Sequence, residues 1–274
     1  MTLPPRTDGE PTLGAGETLC AINENLRLIA RRDGLTFGTD AYLLAAFVRP
    51  SPRALCVDLG SGTGVLSLLL ARKDKVRRAV GVEIQATFAS LIARNAALCD
   101  LADRVVPLCA DVRELTQATL ASALLNSRQG GVCADMVVTN PPYLGVGNGA
   151  RNAADEKYLA RHEVCGGVDD FCAAAERILR PGGTFYAVYR PDRLTALFAS
   201  MREHRLEPKR LAFVHADEKS EPSSVLLEAR AGGAPSLHVL PPLMLHTADS
   251  RGDRCRALCA RAQRIYDTMQ WQDD

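Results

Sequence analysis

The segment Asn140-Pro141-Pro142-Tyr143 combines an amide side chain, a rigid turn and an aromatic ring. The Asn140 side-chain oxygen and the Pro141 carbonyl can each accept one N–H of a conjugated amine, whose delocalised lone pair makes it a poor nucleophile. Prolines keep such a turn rigid, so the rate gain would come from positioning and fixed dipoles. We therefore interpret Asn140, Pro141 and Tyr143 as catalytic, and Pro142 and Tyr143 as substrate contacts. The alternative is a proline-rich turn with Tyr143 as filler.

A glycine-rich segment, DLGSGTG at 58–64, stands between an apolar run and a helical pattern. Glycines allow a sharp turn and close approach of a ligand, and the following helix offers unpaired N–H groups. An empty turn and a dinucleotide site are the alternatives, but dinucleotide loops follow GxGxxG. An acid followed by GxGxG favours a charged, zwitterionic nucleoside cofactor. The predicted contacts in this loop are Asp58, Gly60, Ser61, Gly62 and Gly64.

Two further acids end the next strand-like runs. Glu83 follows Asp58 by 25 residues and ends the second run, while Asp111 ends the third. A carboxylate at the Glu83 position can accept both ribose hydroxyls of an adenosine. Asp111 is placed to bind an adenine amino group, although a solvated loop acid is the alternative. We predict that both contact the cofactor.

Strand-like and helical patterns alternate through most of the chain. Strands are predicted at 53–59, 78–83, 104–111, 134–140 and 184–189, followed by an antiparallel pair at 210–216 and 223–230. Helices are predicted at 41–48, 65–72, 86–99, 114–127, 167–180 and 191–204, with a last helix ending in IYDTM. This alternation predicts an α/β fold with a doubly wound, mostly parallel seven-stranded sheet and an antiparallel C-terminal strand pair.

The domain organisation follows from the same patterns. We predict a flexible tail over 1–17 and a single domain over 18–274, with its core at 53–230 and a C-terminal extension at 231–274. The tail is rich in Pro, Gly and Thr and has no apolar stretch of the kind that a secretory signal needs.

Composition excludes several classes of protein. The 274 residues are 47% hydrophobic and 24% charged, with a net charge of +1 and no apolar stretch long enough to cross a membrane. The nine cysteines form no CxxC pair, which argues against zinc and disulfide frameworks. We expect a cytoplasmic protein with reduced cysteines, no metal and no membrane partner, as a monomer or small homo-oligomer.

The glycine loop, the acidic strand ends and NPPY together resemble the class I methyltransferases that use S-adenosylmethionine (SAM) and act on planar amino nitrogens. Within that group the chain is similar to the bacterial tRNA(Val)-adenine N6-methyltransferase-like family, over roughly residues 20–270. The supporting segments are GLTFGTDAYLLAAFV (34–48), LARHE (159–163), PGGTFYAVYRPDRL (181–194), VLLEARAGG (225–233) and LPPLMLH (240–246).

The resemblance implies methylation of the N6 amine of an adenine beside the tRNA anticodon, with SAM as cofactor and Asn140 contacting both the adenine and SAM. It places Phe37, Gly38 and Thr39 over the methionine end of SAM, although the same stretch could simply cap a helix. Arg161 and His162 would shape the substrate mouth. The alternatives are N5-methylation of a glutamine amide in a protein, and a catalytically silent SAM-binding module that interacts with RNA or protein.

An RNA substrate requires positive charge near the pocket. Basic residues are scattered through the sequence, and solvated helix faces or strand ends are the alternative interpretation for each. The candidates for RNA contact are Arg151, Lys157, Arg161, Lys209 and Arg210, with Arg251, Arg254, Arg256, Arg261 and Arg264 in the last helix.

Overall fold

The structure is a computed structural model that describes residues 11–23, 26–32, 38–124, 131–141, 166–247 and 257–271. The predictions for Phe37, Pro142, Tyr143, Arg161 and His162 lie outside the described residues. The same holds for Arg151, Lys157, Arg251, Arg254 and Arg256.

A nine-stranded sheet forms the centre of the described molecule. Its seven long strands are β3 (Ser51–Leu59), β4 (Val76–Glu83), β5 (Val105–Cys109), β6 (Ala134–Thr139), β7 (Leu179–Tyr189), β8 (Leu206–His215) and β9 (Pro222–Ala231). Two short strands, β10 (His238–Val239) and β11 (Leu243–Met244), lie along β8.

The order of the strands is β10-β8-β9-β7-β6-β3-β4-β5. Strands β3 to β7 pair in parallel, and β9 runs antiparallel between β7 and β8. The predicted fold class is therefore confirmed, including the antiparallel C-terminal pair. Strand β5 lies at one edge of the sheet, where Pro107 can lack an N–H without breaking a central ladder.

Helices cover both faces of the sheet. The described helices are α1 (Thr39–Phe47), α2 (Val65–Arg72), α3 (Ala86–Leu98), α4 (Gln117–Ala123), α5 (Val168–Ile178), α6 (Leu194–Glu203) and α7 (Ala260–Thr268). One hydrophobic cluster joins the sheet to α1, α2, α3 and α7. A second cluster on the other face joins it to α4, α5 and α6. No helix among the described residues has the length and apolar character needed to cross a membrane.

Three predicted helix boundaries are corrected by the structure. The helix predicted at 167–180 ends at Ile178, because Leu179 already pairs with Ala134 as the start of β7. The helix predicted at 191–204 opens with a 3-10 turn at Pro191–Arg193, and the one predicted at 114–127 is a 3-10 turn at Val112–Glu114 followed by α4. Proline suits a first helical position because its missing N–H would have no partner there.

An N-terminal hairpin is absent from the sequence predictions. Strands β1 (Glu17–Asn23) and β2 (Leu26–Arg31) pair antiparallel. Glu17, the last residue of the predicted tail, is the first residue of β1 and forms an ion pair of 2.6 Å with Arg94 of α3. The hairpin therefore packs on the helix that follows β4. The predicted division into core and C-terminal extension stays a prediction.

Candidate active site

Strands β3 and β6 lie side by side at the point where the chain reverses its progress across the sheet. From β3 the chain proceeds through β4 to β5, and from β6 it proceeds the other way to β7. Ligands of open α/β sheets bind at the carboxyl ends of the strands at such a reversal. Leu59 and Thr139 are paired there, and the Thr139 hydroxyl donates to the Leu59 carbonyl at 2.9 Å. The half-buried Asn140 and the buried Pro141 follow at once, so they lie beside the glycine loop.

The glycine loop has left-handed backbone at Gly60, Gly62 and Gly64, with φ of 70°, 56° and 86°. Such φ values favour glycine at all of these positions. A Cβ on Gly60 would also lie 3.2 Å from the Phe171 ring, and one on Gly64 would lie 3.2 Å from Ile92. A Cβ on Gly62 would meet nothing within 4 Å. The outer glycines are therefore required for packing, whereas Gly62 leaves its backbone open to a ligand.

The buried Asp58 side chain fixes the conformation of the glycine loop by hydrogen bonds. Its Oδ2 accepts hydrogen bonds from the Ser61 hydroxyl at 2.7 Å, and from the Ser67 hydroxyl at 2.8 Å and amide at 3.2 Å. Burial raises the pKa of Asp58 to about 6, against the lowering effect of Ser61 and Ser67. These contacts fix the loop to the first turn of α2. In the structure, Asp58 therefore positions the loop.

Glu83, the last residue of β4, meets the loop from the neighbouring strand. One carboxylate oxygen accepts from the Gly62 amide at 3.0 Å, and the other accepts from the Gln85 amide at 2.9 Å. Burial raises the pKa of Glu83, while hydrogen bonds from the backbone lower it. The negative charge of Glu83 in turn raises the pKa of Asp58. Two buried carboxylates thus share one loop, an arrangement that favours a ligand with positive charge.

Asp111 lies two residues beyond β5 and begins the 3-10 turn. Its carboxylate accepts from the Arg113 amide at 2.8 Å and forms an ion pair with the Arg113 guanidinium. The hydrogen bond from the Arg113 side chain lowers the pKa of Asp111. The structure therefore places this acid at the same edge of the sheet as Asp58 and Glu83, with its charge balanced by Arg113.

Gly38 and Thr39 lie at the beginning of α1, which the C-terminal helix α7 contacts. Gly38 is the N-cap of α1, and the Thr39 side chain hydrogen bonds to Tyr266 of α7. Tyr266 also stacks on Tyr42 with ring centroids 5.0 Å apart. Both interpretations of this stretch remain compatible, because a helix start can also meet a ligand.

The structure adds site residues that the sequence analysis misses. Asn95 of α3 is fully buried; its Oδ1 accepts from the Ile29 amide at 2.7 Å. Its Nδ2 donates to the Ile29 carbonyl at 3.1 Å and to the Thr63 carbonyl at 3.0 Å, joining β2 to the glycine loop. A Cβ on Gly81 of β4 would lie 2.8 Å from the Ser61 hydroxyl. A glycine inside a strand is the signal that could have identified Gly81.

The predicted RNA-contact residues differ in burial and in the element to which they belong. The Arg210 side chain is buried, pairs with Glu228 at 2.5 Å and lies over the Phe47 ring at 4.2 Å. Lys209 beside it is half-buried. The last helix begins only at Ala260, so among the predicted arginines α7 includes Arg261 and Arg264.

Comparisons with known proteins agree with this geometry. No family model matches the chain. A predicted O-methyltransferase from Agrobacterium tumefaciens superposes with a TM-score of 0.62 at 22% identity, over 85% of this chain and 97% of that one. TYW2 from M. jannaschii, solved with AdoMet, superposes with a TM-score of 0.52 at 14% identity, over 82% and 90%. The fold is that of the Rossmann-like methyltransferases.

Sequence relatives narrow this class. The tRNA1(Val) (adenine(37)-N6)-methyltransferase of Porphyromonas gingivalis is 31% identical over 198 residues, which span 70% of this chain and 73% of the relative. The protein of the same name from Dickeya chrysanthemi is 28% identical over 211 residues, or 76% and 78%. The chain belongs to the tRNA1(Val) (adenine(37)-N6)-methyltransferase family. The family resemblance predicted from the sequence is therefore confirmed.

Proposed function

We propose that this protein transfers a methyl group from SAM to the exocyclic N6 amino group of adenine 37 in tRNA. The observation that supports this most directly is the position of Asn140, in a chain of this family. Asn140 and Pro141 directly follow β6, next to the strand that leads into the glycine loop. A substrate amine bound at Asn140 would therefore lie beside a cofactor bound at the glycine loop.

The residues of the loop fit SAM as cofactor. The open backbone at Gly62 allows close approach of a nucleoside, and Glu83 is placed to accept ribose hydroxyls. The buried charges of Asp58 and Glu83 favour a cation, and SAM is positively charged at its sulfonium and its amino group. We assign Asp111 to the adenine and Gly38 and Thr39 to the methionine end. Bound there, SAM would supply a methyl group that is already activated for transfer.

The substrate amine is held by acceptors alone. The Asn140 side-chain oxygen and the Pro141 carbonyl would each accept one N–H of the adenine N6 amine, fixing its orientation. An adenine inside a stack cannot reach such a pocket, so the base must be turned out of the RNA. We further infer that Pro142 and Tyr143, which follow directly in the sequence, contact the flipped base, and that Arg161 and His162 contact its surroundings.

Methyl transfer from labelled SAM to total RNA and, separately, to total protein tests the proposal. We expect label in the tRNA fraction, recovered as N6-methyladenosine after digestion, and at least about 10²-fold less with Asn140→Ala. Label recovered as N5-methylglutamine in protein would replace the proposal with the amide alternative. Retention of SAM without transfer to either RNA or protein would identify a silent module instead.

A further inference from the structure

A cavity of about 900 Å³ lies far from the glycine loop. Its charged and titratable lining consists of Arg49, Lys209, Arg210, Glu228, Arg230 and His238. Within the β7–β9 pair, Val225 stands opposite Tyr189 at the carboxyl end of β7, whereas Arg230 stands opposite Thr184. Five residues of strand separate these positions, or about 17 Å. The cavity therefore opens on the amino-terminal edge of the sheet, and it is distinct from the amine site at Asn140.

The lining has a marked excess of positive charge. Among the described residues it includes four permanent cations and one carboxylate, a balance of 4 − 1 = +3 without His238. Glu228 lies 2.5 Å from Arg210 and 3.9 Å from Arg49, so it is shared by those two arginines. Lys209 donates to Ser236 at 2.9 Å and to the Ala234 carbonyl, which are neutral acceptors.

The fold holds these cations together instead of spreading them in solvent. Residues 232–236 cross over the Lys209 side chain, and Gly233 makes this possible, because a Cβ there would lie 3.0 Å from the Lys209 Cε and 3.3 Å from the Arg230 Cβ. Arg210 is fixed between Glu228 and the Phe47 ring.

We propose that this cavity binds a phosphate-bearing anion with at least two negative charges. Guanidinium groups match phosphate oxygens through paired N–H donors, and lysine adds a point charge. The volume lies within the range of ligand pockets and accommodates two linked phosphates. The same chemistry is offered by consecutive phosphates of an RNA backbone and by a free polyphosphate. The site is additional to the proposed methyl transfer and does not depend on it.

Calorimetric titration of the full-length protein with inorganic pyrophosphate is the first arm of the test. The double variant Lys209→Gln/Arg230→Gln removes both cations that lack a carboxylate partner among the described residues. Arg53→Gln is the matched control, because Arg53 is exposed near the start of β3, on the same sheet edge, but does not line the cavity. Titration with SAM checks that each variant is folded. Should the double variant lose SAM binding, Arg230→Gln alone takes its place, since Arg230 is exposed.

The second arm measures tRNA binding to the same proteins at several salt concentrations. Loss of one phosphate contact lowers the slope of log affinity against log salt by about 1. A pyrophosphate affinity at least about tenfold weaker in the double variant, with an unchanged tRNA slope, supports a free polyphosphate. A tRNA slope lower by about 2 supports RNA phosphates. Neither change, or equal changes in Arg53→Gln, would overturn the proposal.

Discussion

The two edges of the central sheet have opposite charge. At the carboxyl edge, the buried carboxylates of Asp58 and Glu83 meet glycines and hydroxyl groups, with backbone open at Gly62. At the amino edge, arginine and lysine side chains surround the cavity, and two of them, Arg49 and Arg210, share Glu228. A sulfonium cofactor and a phosphate ligand need opposite potentials, so one small domain can serve both only by keeping them apart. Strand length supplies that separation, about 17 Å over five residues of β9.

The edges also differ in how their charges are held. Among the described residues, Asp58 and Glu83 are fixed by hydrogen bonds from neutral hydroxyl and amide groups, which do not cancel the negative charge. Arg210 is fixed by an ion pair, and the surplus positive charge lies in the side chains around it. The carboxyl edge therefore has the charge that the proposed cationic cofactor requires, and its parts can be tested one at a time.

Asn140→Ala should have the largest effect on the rate of methyl transfer. It tests whether the carboxyl edge uses different residues for transfer and for cofactor binding. Removing one preorganised hydrogen-bonding group of this kind costs about 10²–10³ in rate. We expect methyl transfer to tRNA to fall by at least that factor while SAM affinity stays within about twofold. Single-turnover transfer and calorimetric titration measure the two quantities. Parallel loss of both would contradict the assignment of Asn140 to the substrate.

Asn95→Ala tests whether the N-terminal hairpin supports the carboxyl edge. The substitution removes the buried contacts to Ile29 and leaves the Thr63 carbonyl without this donor. We expect the free energy of unfolding to fall by about 3 kcal/mol, with weaker SAM binding as well. Urea unfolding measures the first effect.

Ser90→Ala is the matched control for Asn95→Ala, because Ser90 lies on the exposed face of the same helix and bonds only locally to the Thr87 carbonyl. It should change the stability by less than about 0.5 kcal/mol. A loss in Asn95→Ala no larger than in Ser90→Ala would show that the hairpin and the glycine loop are independent.

Asp58→Ala and Glu83→Ala sharpen the contrast between the edges. Each should weaken SAM binding by about tenfold to a hundredfold, because the first frees the loop from α2 and the second removes the acceptor that we propose for the ribose. Asp103→Ala, at an exposed acid, should leave SAM affinity unchanged. Calorimetry on the three variants measures this order. If Asp103→Ala weakened SAM binding as much as the other two variants, the loss of affinity would come from the change in net charge and not from these two carboxylates.

The pH dependence of SAM binding should be the smallest effect. Since burial raises the folded pKa of Asp58 to about 6, above the ordinary aspartate value of 3.8, this carboxyl favours folding most below pH 4. That benefit is lost as the pH rises through 6. A cation favours the ionised form, so SAM affinity should rise about tenfold from pH 5 to pH 7. The raised pKa of Glu83 acts in the same direction. Asp58→Asn should flatten this rise, and an unchanged slope would exclude Asp58 as its source.

Sequence patterns predict the carboxyl edge better than the amino edge. The glycine loop, the acids and Asn140 are local signals that stand at the ends of predictable strands, so their proximity follows from the parallel sheet. Arg210 has no such signal, because its burial depends on Glu228 and Phe47, which are distant in the chain. The hairpin is likewise fixed by a tertiary contact, between Asn95 and Ile29, that no local periodicity reveals. The helix end at Ile178 depends on pairing of Leu179 with Ala134.

Methylation of an unmodified tRNA1(Val) transcript tests the central claim most directly. The wild-type protein and labelled SAM would be incubated with this transcript and with one that has guanine in place of adenine 37, the position named in its relatives. We expect N6-methyladenosine in the first transcript, approaching one methyl group per molecule, and none in the second. Equal incorporation into both transcripts, or label that appears only in protein, would contradict it.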